Sequence, residues 1–206
     1  MIVKAGGSDT VAVEAWVAAV MFAFFLVLTV GWLFVAERRQ GTLLRLRAAP
    51  LSRTQLILGK LLPCFVLSVA QGVFLLLAGK LVFDMSWGGA PLALLLVVIS
   101  TSLAAMGLAL LVAALARTET QVAIYGTLLV LVLAGVSGCL MGDRELMPET
   151  MQQFSLLTPH AWALIAYKQL LTTPAPDLMI VFEACAMLAA FGMGFIVLAW
   201  LLLKLD

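Results

Sequence analysis

The sequence predicts an all-α integral membrane protein with five transmembrane helices, and three observations carry that reading. Of 206 residues, 64% are hydrophobic and only 11% are charged, far from the roughly half apolar and one quarter charged of a soluble domain. A chain with a mean hydropathy of +1.15 has too few polar residues to clothe a water-facing surface. Five long apolar runs, each near the roughly 20 residues that cross about 30 Å of hydrocarbon, account for most of the chain, and no internal repeat relates them. The basic residues gather in one connection, as they do on the cytoplasmic side of membrane proteins. The net charge of +1 and the lack of a basic face argue against a nucleic-acid partner.

The first span covers residues 15–36, the 22 uncharged residues between Glu14 and Glu37. It is too long for a signal-peptide core, and Glu37-Arg38-Arg39 follows it where a cleavage site would need small residues. The second span, 61–83, is interrupted only by Lys80. The third is 91–116, the fourth 120–142, and the fifth 178–203, charged only at Glu183.

Between the first two spans, residues 37–60 hold Arg38, Arg39, Arg45, Arg47, Arg53 and Lys60 against the single acid Glu37. With this connection in the cytoplasm, eight basic residues lie inside and four outside. The N-terminus is then outside and the C-terminus inside. An odd span count with an outer N-terminus leads to the expectation that a first helix is missing, either from a five-helix form or because the true start lies upstream.

The connections carry helix signals. Ser52-Arg53-Thr54-Gln55 is a capping box, so the second helix should start in the interface, with a kink at Pro63. Thr118-Glu119-Thr120-Gln121 repeats the pattern before the fourth span. The outer connection 143–177 reads as two short helices, one from Pro148-Glu149 and one from Thr158-Pro159 through HAWALIAYKQLL. Both are too short to span and should lie in or dip into the outer leaflet, with Trp162 and Tyr167 suited to the interface.

These residues carry a family likeness. Glu37, Gly41, Thr42, Pro50, Gly59 and Lys60, followed by a Pro-containing span, resemble the permease subunits of ATP-binding cassette exporters of type 2. Met147, Pro148, Met151, Gln152, Ser155, Pro159 and Trp162 are similar to the outer re-entrant segment before that family's last helix. The likeness runs from about Val20 to Leu203. Such permeases usually have six helices per subunit and an inner N-terminus. The resemblance implies a membrane subunit that moves substrate with ATP hydrolysed on a separate ATPase subunit, and a homodimer or a heterodimer with another permease. A shortened, non-transporting subunit that anchors or regulates such a complex is the alternative.

The chain has no G-x-x-x-x-G-K-[ST] phosphate loop with which to cradle ATP itself. Its spans offer no His pair, carboxylate dyad or nucleophile beside a base, so no catalytic residue and no cofactor is expected. Cys64, Cys139 and Cys185 fit neither a metal spacing nor a disulfide framework and read as small core residues, and the one histidine, His160, lies in an outer surface segment. Glu37, Arg38, Arg39, Gly41, Thr42, Arg45 and Arg47 are the expected ATPase-docking surface. The basic residues among them also suit anionic membrane lipid, at about 1 kcal/mol per cation.

Gln71, Lys80 and Glu183 are the intramembrane polar candidates. Gln71 suits a hydrogen bond to a neighbouring helix. Lys80 should snorkel or pair with Asp84, and Lys80 and Glu183, at similar depth, should approach each other. Thr101, Ala105, Ala109 and Ala113, four apart, form a small stripe for close helix contact. The transported substrate is not legible.

Overall fold

The computed structural model describes residues 5–40, 52–85, 87, 89–141, 144, 147–173 and 175–202. Within them the chain is helical: α1 (Ala5–Arg39), α2 (Arg53–Phe83), α3 (Pro91–Leu115), α4 (Glu119–Ser137), α5 (Glu149–Ser155), α6 (Pro159–Thr172) and α7 (Leu178–Leu202), with a 3-10 turn at Cys139–Met141. No strand occurs among the described residues. Five of these helices, α1 to α4 and α7, are long and apolar enough to cross a membrane. The all-α membrane fold read from the sequence is therefore the one observed.

Several helix ends have a local cause. Ser52 caps α2: its hydroxyl accepts from Gln55 N–H at 3.2 Å, and Gln55 Oε1 accepts from Ser52 N–H at 2.8 Å. Two orphan donors are thereby satisfied at the start of a helix that runs unbroken through Pro63. At α4 only half of the expected box forms. Thr118 Oγ1 accepts from Gln121 N–H at 3.2 Å, but Gln121 Oε1 turns to Arg117 N–H at 2.7 Å. The fourth span also ends five residues before the expected position 142, because Gly138 takes a left-handed φ of 82° and its N–H bonds Ala134 and Gly135. A Cβ there would sit 2.7 Å from Met147 Sδ and 3.1 Å from Arg144 Cα.

Among the spans, α3 is central and the most buried, far more so than α2 or α7. Its most extensive partner is α7, and α1, α2 and α6 also pack on it. The tight point is a glycine pair: a Cβ on Gly107 would meet the Gly192 carbonyl oxygen at 2.4 Å. Backbone-to-backbone approach of this kind is how small residues replace the hydrophobic effect between helices in lipid. The stripe Thr101, Ala105, Ala109 and Ala113 is buried, as close helix contact requires. Leu62, Phe74 and Leu81 on α2, Leu128 on α4 and Met179 on α7 are largely exposed, an apolar face suited to lipid tails.

Candidate functional site: the two ends of the bundle

The α1–α2 end is fastened by charge. Glu37 Oε2 forms an ion pair with Lys60 Nζ, and the same ammonium lies 4.7 Å from the centre of the Phe34 ring. Both side chains are mostly buried, at 23% and 10% exposure, so the contact is less screened than a surface pair. Glu37, expected to face a partner, thus meets a residue of its own chain. Arg38 and Arg39 lie in the last turn of α1, with side chains outside the described residues. Gly41, Thr42, Arg45 and Arg47 also lie outside them.

Beside this end, a groove of about 350 Å³ opens between α1 and α4, lined by Leu28, Thr29, Trp32, Glu119, Val122 and Ala123. Its polar feature is a hydrogen bond from Trp32 Nε1 to Glu119 Oε2 at 3.0 Å. Sequence reasoning missed this pair. Glu119 stands in the first turn of α4, which explains a carboxylate there but does not announce an indole 87 residues away.

At the opposite end lie the two short helices α5 and α6, as expected for the outer connection. Arg144 fastens the preceding chain to α5: Nε donates to Ser155 Oγ at 2.7 Å and the guanidinium also donates to the Gln152 carbonyl. Gln152 Nε2 donates to the Met147 carbonyl at 2.9 Å, and Trp162 Nε1 to the Leu156 carbonyl at 2.8 Å. Thr158 Oγ1 caps α6 through Ala161 N–H at 3.4 Å. Four residues of the second resemblance, Met147, Gln152, Ser155 and Trp162, are thus part of the network that shapes this turn.

His160, in the first turn of α6, stacks on Phe24 of α1 with ring centroids 3.8 Å apart. Phe24 lies eight residues into the span that begins at Trp16, about 12 Å along the helix. The stack thus lies well along α1 from the start of its span, and His160 is fully buried, where the sequence suggested a surface position. Tyr167 is buried too and is no interface anchor. Its phenol lies at Thr101 and Cys185, and burial pushes its pKa up. Cys139 and Cys185 are buried and Cys64 is half-buried, all as free thiols. No cluster of His, Cys, Asp and Glu among the described residues is placed to hold a metal ion.

The remaining candidates are not brought together. Lys80 is exposed, with its ammonium 4.5 Å from the centre of the Trp87 ring. Among the described residues no ion pair joins it to Asp84 or to Glu183, and Glu183 is exposed on α7. A cation over an indole face keeps its hydration on the other side, which a pair held in lipid would lose. Gln71 is half-buried without a hydrogen bond among the described residues. The interhelical polar contact lies one turn earlier, where Ser68 Oγ donates to Ser102 Oγ at 2.9 Å.

Residues 7–201 match the family model of the ABC-2 family transporter protein. The chain belongs to that family. This ABC-2 chain is 28% identical over 188 residues to the linearmycin resistance permease protein LnrN of Bacillus subtilis, a match covering 91% of this chain and 48% of that protein. It is 25% identical over 140 residues to the probable multidrug ABC transporter permease YbhR of Escherichia coli K12, covering 65% of this chain and 38% of YbhR. The ABC-2 chain thus spans about half or less of the length of these curated relatives. It is a membrane protein of the ABC-2 transporter family.

Proposed function

We propose that this chain is the permease subunit of an exporter, driven by ATP hydrolysis on a separate ATPase subunit that docks on residues 37–60. The observation that carries the reading is the Glu37–Lys60 ion pair. It ties the two helix ends that flank the basic connection, so a push on that connection tilts α1 and α2 together. Arg38, Arg39, Arg45 and Arg47 supply charge that selects and orients the partner more than it adds affinity. Glu37 then serves inside the subunit, joining the docking segment to Lys60.

The basic asymmetry supports the N-terminus outside and the C-terminus in the cytoplasm, in the inner membrane of a bacterial cell. The groove between α1 and α4 is the candidate half-path, which a second permease chain, identical or different, would complete. Its apolar lining, with one indole–carboxylate pair, fits an apolar or amphipathic compound. The names of LnrN, for linearmycin resistance, and YbhR, for multidrug transport, point to the same class.

The test is copurification of the ATPase, stimulated hydrolysis and substrate efflux for variants with Arg38, Arg39, Arg45 and Arg47 reversed to Glu. Loss of all three, with membrane insertion intact, is expected. If every reversal leaves all three at wild-type levels, the connection is a topology anchor and the docking assignment is wrong. Unchanged efflux when this chain is omitted from the complex would instead identify a non-transporting subunit.

A further inference from the structure

His160 is the chain's one histidine, fully buried, and neither ring nitrogen has a hydrogen-bond partner among the described residues. Buried polar atoms in native proteins are nearly always paired, so an imidazole with both nitrogens orphaned marks a state held in place by its surroundings. The surroundings here are apolar. Phe24 stacks on the ring, and the elements packed on α6 are α1, α3, α4, α7 and the 3-10 turn at Cys139–Met141. From Trp16 to Ala36 on α1, along α3, and from Thr120 to Ser137 on α4 there is no charged residue. On α7 the one charge is Glu183, which is exposed. The one charge on α6 is Lys168, half-buried and two turns beyond His160, and the remaining titratable groups along these stretches are Tyr167 on α6, Tyr125 on α4, Cys139 in the 3-10 turn and Cys185 on α7.

We propose that the His160–Phe24 stack is an acid-sensitive latch that holds the tip of the α5–α6 pair against α1. The latch is closed while the imidazole is neutral and is released by a proton taken up when the tip separates. In the closed position a charged ring would be stripped of water, and it would stand in the first turn of α6, whose dipole repels a cation. Burial accordingly pushes the pKa down to about 3. Once the tip leaves α1 the ring meets water, both nitrogens gain partners, and the pKa returns to about 6.5. A proton bound there prevents return, because the attraction of the Phe24 face for a cation is smaller than the cost of its desolvation.

The sign follows from linkage. A group whose closed-state pKa is depressed contributes its full closing stability above the open-state value and loses it as pH falls. Between pH 7.5 and pH 5 the closed-to-open ratio should therefore fall about 30-fold. The latch is a property of this chain alone and stands or falls apart from the transport reading.

The experiment uses the full chain in lipid nanodiscs. Amide hydrogen exchange of residues 158–170, corrected for the intrinsic effect of pH, should show protection falling about 30-fold between pH 7.5 and pH 5. His160→Phe, which keeps the stack and removes the titrating nitrogens, should be more protected and flat with pH. Histidine-selective NMR on the wild type reads the single imidazole directly and needs no variant. It should show imidazolium appearing in step with the loss of protection. The proposal is overturned if the imidazole titrates near 6.5 while the amides stay protected. It is equally overturned if protection does not change down to pH 5, or if His160→Phe follows the same pH curve as the wild type.

Discussion

Substituting Gly107 by Ala adds one methyl group at the closest approach found at any described glycine. The added Cβ would stand 2.4 Å from the Gly192 carbonyl oxygen and 3.1 Å from its Cα and carbonyl carbon, whereas ordinary contact begins at 3.4 Å. The obstructing atoms are backbone, so no side-chain rotation relieves the clash, and α3 and α7 must separate locally by about 1 Å. Separation loosens the most extensive helix contact in the molecule. Overpacking of this kind costs about 1–3 kcal/mol, and the upper half of that range is expected because the contact is backbone on backbone. Gly194 on α7 is the control, since a Cβ there meets nothing within 4 Å and Ala is intrinsically the better helix former by up to about 1 kcal/mol. Thermal unfolding in one detergent or nanodisc should place Gly107→Ala clearly below the wild type and Gly194→Ala at or above it. Equal stability of Gly107→Ala and wild type would refute the close approach of α3 and α7.

Two further outcomes follow from the helix ends. Glu37→Lys should lower stability by about 1–3 kcal/mol, between the values for exposed and buried ion pairs. The double reversal Glu37→Lys with Lys60→Glu should recover most of that loss, and an additive double variant in thermal unfolding would show that the two charges do not interact. Gly138→Ala combines a left-handed backbone with contact against Met147 and Arg144, for a loss of roughly 2–4 kcal/mol; a stability within error of wild type would remove that cap as the reason α4 ends where it does.

The spans were legible because a run of some 20 uncharged residues has one physical solution, a helix in lipid. Helix starts were legible wherever a Ser or Thr and a Gln satisfy donors within four residues, as at Ser52. Features set by distant chain were not. Gly138 sits in an apolar stretch that reads as uninterrupted membrane, and only Met147 and Arg144, folded back against it, make a glycine necessary. The Thr158-Pro159 helix start was plain, but the burial of His160 depends on where Phe24 of α1 stands. Lys80 illustrates a competition between partners. Acids at Asp84 and Glu183 were the obvious ones by charge and depth, yet an aromatic face at Trp87 satisfies the ammonium without drawing it into lipid. The Glu37–Lys60 pair had its two members visible, as parts of a motif and of a charge count, but not their contact across a connection of 22 residues.

The geometry sets a backbone-tight contact between α3 and α7 beside a long α1 that is fastened to other neighbours. α3 and α7 are locked by the Gly107–Gly192 approach, which tolerates no sliding without a backbone clash. α1 packs on α2, α3, α4 and α6, and it alone carries both fastenings: Glu37 to Lys60 at one end and Phe24 to His160 nearer the other. Thirteen residues separate Glu37 from Phe24, about 20 Å of helix, with no proline between them to absorb a bend. A displacement of the Glu37 end therefore reaches Phe24 as a tilt or rotation of a stiff rod. Stacked rings are sensitive to such a motion, because a shift of a few ångströms removes the overlap that lets a bare imidazole remain in an apolar slot. The ion pair and the stack are thus two contacts on one lever, each holding α1 against a neighbour that is not part of the α3–α7 lock.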